Sequence, residues 1–341
     1  MSKGHVLITG GAGYIGSVMT GLLLERDYEV TVLDRFFFGD TLARYSDNPD
    51  LHQVKADVRS FDPKVFDGVD AVFDLAALSN DPAGELVPGK TLDINHQGRA
   101  RCARLAKEAG VGRYVLASSC SLYGFQDDIV DETSPVNPLT TYAKANGLAE
   151  ESNLPLADDD FTATALRQAT VFGLSPRMRF DLAINGMTLA LHKWGNVKVM
   201  RPGTQWRPMV HVRDTSRAFI AVMEADPAKV NGEVFNVGDE TLNLQIGPLA
   251  KRVSEAVGIE FVEDWYGDPD HRSYQVGFEK IKKTLPWKAE VTPEMGAKEI
   301  FDALAAGETT DSPETKTVQW YEALEEWNQR IKAVAMDGGI L

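Results

Sequence analysis

A short apolar run followed at once by three glycines opens the chain, and it constrains the fold more than any other stretch. Residues 5–9 read HVLIT, and glycines follow at positions 10, 13 and 16. A strand that turns into a helix through such glycines aims free backbone N–H groups and the positive end of the helix dipole at an anion. Gly10 allows the tight turn, Gly13 lets the backbone approach phosphates, and Gly16 lets the helix lie close on the sheet. The spacing therefore predicts a site for a pyrophosphate.

An acidic residue ends the next apolar run, at the distance expected of a second parallel strand. Residues 30–34 read VTVLD, so Asp34 is the last residue of this run. A carboxylate there can bind the hydroxyls of an adenosine ribose, which favours NAD over NADP as the cofactor. The adjacent Arg35 keeps NADP open as an alternative. The alternative is that the glycines form a purely structural turn and that Asp34 is an acidic residue of a loop, but this explains the spacing less well than a cofactor site does.

Strand-like and helical segments alternate after this opening unit. The further candidate strands are residues 51–55, 71–75, 114–118 and 162–166, and residues 91–109 have the pattern of a helix that Gly110 ends. Such alternation builds a parallel sheet with helices on both faces. We therefore predict an α/β fold, a Rossmann-type doubly wound parallel sheet with a smaller C-terminal substrate lobe.

From about residue 175 the alternation loosens, and longer loops separate shorter elements. We assign residues 1–174 to an NAD-binding Rossmann region, 175–312 mainly to a substrate-binding lobe, and 313–341 to a C-terminal amphipathic helix and tail. We expect this helix to dock on the body of the protein, with a partner-binding helix as the alternative, and residues 307–312 to form a flexible link. The C-terminal helix is predicted from apolar residues that recur at helical spacing, namely Trp320, Leu324, Trp327 and Ile331.

Composition limits the class of protein. The 341 residues are 43% hydrophobic, which suffices for a sizeable core. Cys102 and Cys120 give no disulfide framework, and the N-terminus is strand-forming rather than a signal peptide, so we expect a cytoplasmic protein. No apolar run approaches membrane-spanning length, and the net charge of −15 argues against nucleic-acid binding. His192, His211 and His271 lack ligand spacing, so we predict no metal site.

Two stretches after the fifth candidate strand carry groups suited to catalysis. Residues 116–124 read LASSCSLYG, and residues 138–146 read PLTTYAKAN, which begins a helix after a proline. In doubly wound folds ligands bind beyond the carboxyl ends of the strands, so both stretches belong at the cleft. Ser119 and Tyr142 meeting there could bracket a sugar or alcohol oxygen, with Tyr142 as the acid/base for hydride transfer.

The chain resembles the extended short-chain dehydrogenase/reductase family, in particular its nucleotide-sugar epimerase and dehydratase branch, over roughly its whole length up to the last helix. The resemblance rests on TGGAGYIG at 9–16, Asp34, ADV at 56–58, LAA at 75–77, Asn95, Ser119 with YG at 123–124, and Tyr142 four residues after Pro138. Carried over residue by residue, it implies an NAD site formed by Gly10, Gly13, Tyr14, Ile15, Gly16, Asp34, Arg35, Asp57, Val58, Leu75, Ala76, Ala77, Asn95, Tyr142 and Asn146.

The resemblance extends to the predicted substrate lobe. Two segments, GTQWRPMVHVRD at 203–214 and DHRSY at 270–274, resemble those whose arginines bind a nucleotide diphosphate, which indicates Arg207 and Arg272. Two arginines could clamp a pyrophosphate with bidentate bonds, whereas the alternative for each is a surface ion pair. Residues 175–179 carry two more arginines that we expect near the nucleotide. The resemblance also implies substrate contacts by Ser79, Ser119, Ser121 and Thr170, the last standing where the branch often has an asparagine.

Position 146 departs from the family pattern. Members normally carry a lysine four residues after the catalytic tyrosine, where it binds the nicotinamide ribose and lowers the tyrosine pKa, but Asn146 stands there in this chain. Lys144 points to nearly the opposite side of the helix and cannot replace it. Asn146 supplies no charge, so we predict a less acidic Tyr142. The departure fits an enzyme in which another group compensates, a slow or specialised enzyme, a cofactor-binding protein without turnover, or an engineered Lys→Asn change.

Two further departures from the family pattern occur, and the first of them bears on the reaction. Sugar 4,6-dehydratases of the family place an Asp-Glu pair directly after the catalytic Ser or Thr, whereas Cys120 and Ser121 follow Ser119 here. Without a carboxylate at these positions, ordinary 4,6-dehydration is disfavoured. Cys120 could act as an acid/base thiol, although a buried structural cysteine is the commoner case. Asp74 stands where the family often has a histidine, and the sequence assigns it no role.

Together these features favour NAD-dependent epimerisation of a nucleotide-diphosphate sugar by transient oxidation, with a homodimer packed through the 91–109 helix and the helix that starts near Tyr142. The alternatives are a reductase or dehydratase acting on the same class of substrate, an NAD-binding sensor, and an oxidoreductase for a non-nucleotide substrate such as a steroid or flavonoid. The two arginines argue against the last. The predicted catalytic residues are Ser119, Cys120, Tyr142 and Asn146.

Overall fold

The structure, a computed structural model, describes residues 2–270 and 272–336, so His271 lies outside the described residues. Its strands are β1 (His5–Thr9), β2 (Glu29–Asp34), β3 (Leu51–Lys55), β4 (Ala71–Asp74), β5 (Arg113–Ser119), β6 (Phe125–Val130), β7 (Thr162–Gln168), β8 (Thr170–Phe172), β9 (Val197–Met200), β10 (Trp206–His211), β11 (Val234–Val237), β12 (Asn243–Gln245), β13 (Glu263–Tyr266) and β14 (Ser273–Val276). Its α-helices are α1 (Tyr14–Leu24), α2 (Asp81–Leu86), α3 (Pro88–Leu92), α4 (Arg99–Glu108), α5 (Thr141–Asn153), α6 (Ala183–Trp194), α7 (Val212–Glu224), α8 (Pro227–Val230), α9 (Ile246–Ala256), α10 (Glu279–Thr284), α11 (Pro293–Ala305) and α12 (Thr317–Val334).

The main sheet holds seven strands in the order β11-β7-β5-β4-β1-β2-β3. All of its neighbouring strands are parallel, and β1 pairs with β2 from His5↔Glu29 to Thr9↔Leu33. The chain winds outward from β1 to one edge and then from β4 to the other. This arrangement confirms the predicted doubly wound α/β fold.

Successive residues of β1 belong to different apolar clusters. Val6 and Ile8 pack in a cluster that includes residues of α1 and α7, whereas Leu7 packs in one that includes residues of α4 and α5. Helices therefore cover the sheet on both faces. This is why β1 carries a continuous apolar run, Val6 to Ile8, rather than alternating apolar and polar residues.

A strand from the second half of the chain completes the main sheet. Strand β11 forms its outer edge and α7 packs near α1, although both elements lie in the 175–312 segment. Strand β11 is not among the predicted strands. A three-stranded sheet, β12-β10-β8, forms the smaller lobe and packs against residues of α6, α9 and α11. The assigned domain boundaries stay a prediction.

The helix predicted over 91–109 begins earlier and is irregular. Helix α3 begins at Pro88, a π-helical turn covers Asp93–Gly98, and α4 continues to Glu108. A π-helical turn changes which side chains point inward and often occurs at functional sites. Here the buried side chains at and just after this turn include Asn95 and Arg99.

Only the first part of the C-terminal helix docks on the body of the protein. The Trp320 side chain is buried, and its Nε1 donates a hydrogen bond to the Phe37 carbonyl at 2.6 Å. Trp327 and Ile331 are 48% and 45% exposed. The docking prediction is therefore confirmed for Trp320 and wrong for Trp327 and Ile331. Among residues 2–270 and 272–336, no helix combines the length and apolar character needed to span a membrane.

Candidate active site

The first glycine turn presents bare backbone to the cleft. Gly10 has a φ of +72°, and its N–H donates to the Leu33 carbonyl at 2.8 Å. A Cβ would lie 3.0 Å from the Gly10 carbonyl oxygen if placed at Gly13 and 2.3 Å from it if placed at Gly16. Helix α1 begins at Tyr14 without a side-chain cap, so its first N–H groups are available to an anion.

Asp34 lies at the end of β2, beside this turn. Its carboxylate accepts hydrogen bonds from the backbone N–H groups of Ala12 at 3.0 Å and Phe36 at 2.8 Å. Burial raises the pKa of this carboxyl, and these backbone hydrogen bonds oppose the shift. Arg35 is engaged by a second carboxylate of the cleft, because its Nη1 donates to Asp57 at 2.8 Å. The site fits NAD, since ribose hydroxyls can donate to Asp34 whereas a 2′-phosphate would meet a carboxylate.

One cleft of about 940 Å³ brings together most of the predicted site residues. Asn95 and Cys120 do not line it. Within the described residues no group of three or more His, Cys, Asp or Glu side chains could hold a metal ion. The predicted residues that line the cleft are Gly10, Gly13, Tyr14, Ile15, Gly16, Asp34, Arg35, Asp57, Val58, Leu75, Ala76, Ala77, Ser79, Ser119, Ser121, Tyr142, Asn146, Thr170, Arg207 and Arg272.

Asn95 acts from behind the cleft. It is fully buried; its Oδ1 accepts from the Leu78 N–H at 2.8 Å, and its Nδ2 donates to the Leu78 carbonyl at 3.0 Å. Both ends of the amide are therefore bound to the loop after β4. The predicted cofactor contact is corrected to an indirect one, because Asn95 holds the loop whose Leu75 and Ala76 line the cleft.

Cys120 is buried in the core. Its Sγ donates to the Arg167 carbonyl at 3.2 Å, and burial raises the pKa of the thiol well above its ordinary value. A thiol in this setting stays protonated near neutral pH and does not reach the cleft. Of the two alternatives for Cys120, the geometry favours the structural one and corrects its inclusion among the catalytic residues.

Helix α2 fixes the start of α5 and thereby Tyr142. The Thr140 hydroxyl caps α5 and donates to the Asp81 carboxylate at 2.5 Å. The Thr141 N–H donates to Glu85 Oε1 at 2.6 Å. Because Asp81 and Glu85 both belong to α2, two carboxylates hold the first turn of α5 against the cleft. Tyr142 is half-buried there.

The Tyr142 phenol is less acidic than an ordinary tyrosine. Burial raises its pKa above 10; the Asn146 side chain opposes this shift, Asp81 adds to it, and the charges of Arg99 and Arg179 oppose it. The direction is the one expected from the missing lysine. Its largest cause, however, is burial, which the sequence does not show.

Asn146 contacts a buried cation. The Asn146 Oδ1 accepts a hydrogen bond from Arg99 Nη1 at 3.0 Å, and its Nδ2 donates to the Tyr142 carbonyl at 3.1 Å. Lys144 is exposed and does not line the cleft, which agrees with the prediction that it points to nearly the opposite side of the helix from Asn146. Arg99 is not among the residues predicted for the site, because no spacing in the sequence shows that a side chain at the start of α4 contacts the residue one helical turn after Tyr142.

Two serines at the end of β5 line the cleft, Ser119 as the last residue of the strand and Ser121 just after it. The Ser119 Oγ accepts a hydrogen bond from the Ser121 N–H at 3.1 Å. The Ser121 Oγ is buried and makes no hydrogen bond with any residue that the structure describes. Buried hydroxyls in folded proteins normally have a partner, so this group can accept from or donate to a ligand in the cleft.

The two predicted diphosphate-binding arginines meet at one carboxylate. Arg207 Nη2 donates to Asp270 at 2.6 Å, and Arg272 donates to the same carboxylate through Nε at 2.9 Å and Nη2 at 2.8 Å. Arg272 also pairs with Asp81. Both arginines therefore form ion pairs, although these pairs are partly buried rather than on the surface, and the diphosphate role stays a prediction. A diphosphate bound here competes with Asp270 and Asp81 for the two guanidinium groups.

Both arginines of the 175–179 segment line the cleft. Arg179 Nη1 donates to the Ser79 Oγ at 3.2 Å, and Arg179 pairs with Asp181 at 2.7 Å. The Arg177 guanidinium lies 3.7 Å from the centre of the Phe38 ring. Arg179 therefore faces the predicted substrate residue Ser79, while Arg177 stacks on a residue that follows β2.

The fold and the cleft define an NAD-binding protein of the Rossmann type, and a tyrosine and a serine, Tyr142 and Ser119, line the same cleft. The chain belongs to the NAD dependent epimerase/dehydratase family, whose family model matches residues 6–238. The family acts on nucleotide sugars with NAD, which confirms the predicted resemblance and the predicted cofactor.

Relatives in this family differ in the reaction they are named for. UDP-glucuronic acid decarboxylase 6 of Arabidopsis thaliana is 28% identical over 306 residues, which cover 85% of this chain and 85% of that protein. MoeE5 in complex with UDP-glucuronic acid and NAD has a TM-score of 0.77 and 26% identity, covering 89% of this chain and 100% of that one. A UDP-galactose 4-epimerase structure has a TM-score of 0.72 and 26% identity, covering 89% and 99%.

Proposed function

We propose that this protein epimerises a nucleotide-diphosphate sugar by transient oxidation of one sugar hydroxyl. The observation that carries the proposal is a single cleft lined both by Tyr142 with Ser119 and by Arg207 with Arg272. Tyr142 takes the proton of the sugar hydroxyl, and the Ser119 Oγ hydrogen-bonds the same oxygen. The chemistry that NAD supplies when bound is reversible hydride exchange with the sugar carbon.

The carboxylates of the cleft support epimerisation over loss of water. Dehydration needs one group to protonate the leaving hydroxyl and another to remove the neighbouring proton. The positions directly after Ser119 hold Cys120 and Ser121 instead of acids. The carboxylates that line the cleft are all engaged by arginines or by backbone N–H groups, namely Asp34, Asp57, Asp81, Asp181 and Asp270.

A diphosphate-bearing substrate is supported by two arginines whose planar groups match phosphate oxygens. The Arabidopsis relative is named for a UDP sugar, and MoeE5 is solved with one. We therefore infer that UDP sugars are the first substrates to test. The arginine pair also argues against a steroid or flavonoid substrate.

Decarboxylation of a UDP-sugar acid is a second candidate, favoured by the name of the Arabidopsis relative and by Arg179. The Arg179 guanidinium lies next to Ser79 in the cleft and could bind a sugar carboxylate. Both candidate reactions begin with oxidation of a sugar hydroxyl. They differ in the product, which keeps all its carbons in one case and loses carbon dioxide in the other.

The test uses the purified protein with any nicotinamide that it retains, identified by mass spectrometry. UDP-, GDP-, CDP- and dTDP-sugars, UDP-glucuronic acid among them, are added with NAD, and reduced-cofactor absorbance and product stereochemistry are followed. We expect a transient reduced band and an inverted sugar with no net consumption of NAD. Carbon dioxide release would support the second candidate.

The matched control is Tyr142→Phe, which keeps the ring and removes the phenolic oxygen. We expect kcat to fall by about 100-fold or more, because a positioned acid/base contributes about 10²–10⁴-fold, while NAD binding is unchanged. Bound NAD with no reduction by any sugar contradicts the proposal and supports a cofactor-binding protein without turnover.

We also propose a homodimer that packs through the helical run around α4 and through α5, and a cytoplasmic location. The proposed dimer is based on the family resemblance.

The proposed cytoplasmic location is based on the absence of a disulfide framework in a chain with two cysteines, Cys102 and Cys120, which are both free and buried.

A further inference from the structure

A fully buried cation lies directly behind Asn146. Arg99 stands at the start of α4, where the π-helical turn ends, and is 1% exposed. Its Nη1 donates to the Asn146 Oδ1 at 3.0 Å. Asn146, also 1% exposed, lines the cleft beside Tyr142. The Arg99 guanidinium therefore contacts the side chain at position 146, where the family carries a lysine.

The remaining donors of Arg99 are bound to β4 and β5. Nε donates to the Asp74 carboxylate at 3.2 Å, and Nη2 donates to the Asp74 carbonyl at 3.0 Å and to the Ala117 carbonyl at 2.5 Å. The Asp74 carboxylate also accepts hydrogen bonds from Thr9 and Tyr114, each at 2.6 Å. Arg99 is therefore fixed in one position, and its counter-ion Asp74 is fully paired.

Arg99 also sets the orientation of the Asn146 amide. A guanidinium has donors and no acceptor, so only the amide oxygen can face it. The NH₂ end must then point the other way, and one of its hydrogens goes to the Tyr142 carbonyl. The positive end of the amide dipole is thus turned away from Arg99 toward the backbone carbonyl of Tyr142, one turn earlier on α5.

A buried ion pair of this kind needs a reason beyond stability. Replacing a buried pair by apolar side chains of similar volume is often neutral or stabilising, because both charges lose their hydration. The same lack of water makes a buried charge act strongly on its neighbours. Two departures from the family pattern, Asp74 and Asn146, are both direct partners of Arg99.

We propose that Arg99 is a positioning residue that supplies, through Asn146, the positive charge beside Tyr142 that a lysine at position 146 would otherwise provide. Asp74 is the counter-ion that holds this charge in the core. The inference rests on the proposed function of Tyr142 as the acid/base, and it explains how the chain can keep that function with Asn146.

Several other charged groups face Tyr142 and must be kept constant in a test. Asp81 and Glu85 approach from α2, and Arg179 with its partner Asp181 approaches from the segment before α6. Arg99 lowers the pKa of the phenol in the same direction as Arg179, whereas Asp81 raises it. Variants at Arg99 and Asp74 leave all four of these groups in place.

The first experiment titrates Tyr142 without any substrate. The pair is neutralised together in Arg99→Met/Asp74→Asn, so that no buried charge is left alone, and the phenol is followed by ultraviolet difference absorbance against the matching Tyr142→Phe protein. We expect its acid constant to fall about tenfold, one pKa unit. An unchanged acid constant in the folded variant overturns the proposal.

If the Arg99→Met/Asp74→Asn protein does not fold, a single substitution can test the same effect on the Tyr142 phenol. Asn146→Ala leaves the Arg99–Asp74 pair intact and removes only the amide between Arg99 and Tyr142. We expect the same fall in the acid constant of the phenol. If Asn146→Ala leaves the acid constant at the parent value, Arg99 does not act through Asn146.

The second experiment adds a lysine in two backgrounds and measures kcat against pH. In the parent, Asn146→Lys places a second cation against Arg99, and we expect a fall in kcat and in melting temperature. In Arg99→Met/Asp74→Asn, the same change should raise kcat about tenfold and shift the acidic limb of the profile to lower pH. An equal rise in both backgrounds means that Arg99 is only structural.

The two experiments separate this inference from the proposed function. If the parent converts no sugar, the epimerase proposal fails, but the titration of Tyr142 still decides whether Arg99 acts on the phenol. If the parent is active and the titration shows no effect of Arg99 or Asn146, only the present inference fails.

Discussion

At position 16 a single hydrogen atom decides how closely α1 can lie on the glycine turn. A Cβ there would come within 2.3 Å of the Gly10 carbonyl oxygen and 2.6 Å of the Gly11 Cα, and both are backbone atoms. Neither can rotate away as a side chain could. Any side chain at Gly16 therefore has to move the turn that is shaped to hold the pyrophosphate.

Replacing Gly16 by Ala should weaken NAD binding more than it weakens the fold. We expect the dissociation constant for NAD to rise about tenfold or more, equivalent to about 1.4 kcal/mol, with about 1–3 kcal/mol lost in the free energy of unfolding. Calorimetric titration with NAD and thermal melting measure the two effects. Gly89→Ala is the control, because Gly89 lies in α3 with no heavy atom within 4 Å of an added Cβ. A Gly16→Ala protein that binds NAD like the parent would contradict this account of the turn.

The role of a residue could be predicted from the sequence where the residue belongs to a local motif, because its neighbours in the chain then indicate what it does. The glycine turn, Asp34 and Tyr142 belong to this class, and all of them line the cleft. Arg99 does not, because its partners are 25 and 47 positions away. The sequence marked Asp74 and Asn146 as departures but could not show that one guanidinium joins them.

At the scale of elements, helix α12 is bound to the body through its first turns. Trp320 packs there and hydrogen-bonds Phe37, and Tyr321 lies with its ring 6.0 Å from that of Phe37. Phe37, Phe38 and Tyr321 all line the cleft. The helix therefore closes the side of the cleft next to the residues that follow β2.

The two tryptophans of α12 should differ in their contribution to stability. We expect Trp320→Ala to lower the free energy of unfolding by about 3 kcal/mol, as for other buried aromatic side chains, and to weaken NAD binding. Trp327→Ala should cost about 1 kcal/mol or less, since the side chain is exposed and keeps mainly an edge contact with Trp320. Denaturant unfolding of both variants tests this. Equal losses would mean that the outer half of α12 is also covered in solution.

Elements were predictable where apolar runs are bounded by turn residues. The segments 51–55, 71–75 and 114–118 match β3, β4 and β5 to within one residue at each end, whereas β7 begins at the predicted residue 162 and ends at Gln168 instead of residue 166. Strand β11 was missed because it has four residues and lies in a stretch with irregular alternation. Its place in the sheet depends on pairing with β7, which is a contact over long sequence distance.

At the scale of the whole molecule, the cleft is assembled from both parts of the chain. Arg207 comes from β10 of the smaller lobe, Arg272 from the segment before β14, and Asp81 from α2 beside the main sheet. Asp270 binds both arginines, and Asp81 binds one of them. Family resemblance indicated the two arginines, but the carboxylates that hold them follow only from the folded structure. These ion pairs join the lobe to the sheet across the cleft.

If this ion-pair group is the diphosphate site, each arginine should contribute separately to nucleotide affinity. Arg207→Ala and Arg272→Ala should each raise the dissociation constant for UDP about tenfold or more, since a hydrogen bond to a charged group contributes about 1.5–3 kcal/mol. Titration calorimetry with UDP measures this, with NAD binding as a check on the cofactor part of the cleft. Arg201→Ala is the matched control, because Arg201 is exposed and its guanidinium donates to the Gly267 carbonyl at 3.2 Å rather than to a carboxylate of the cleft. Because Asp270 keeps one arginine partner in either single variant, neither leaves that carboxylate unpaired. UDP affinity unchanged in both variants, with NAD binding intact, would remove the main support for a nucleotide-sugar substrate and leave only the cofactor site assigned.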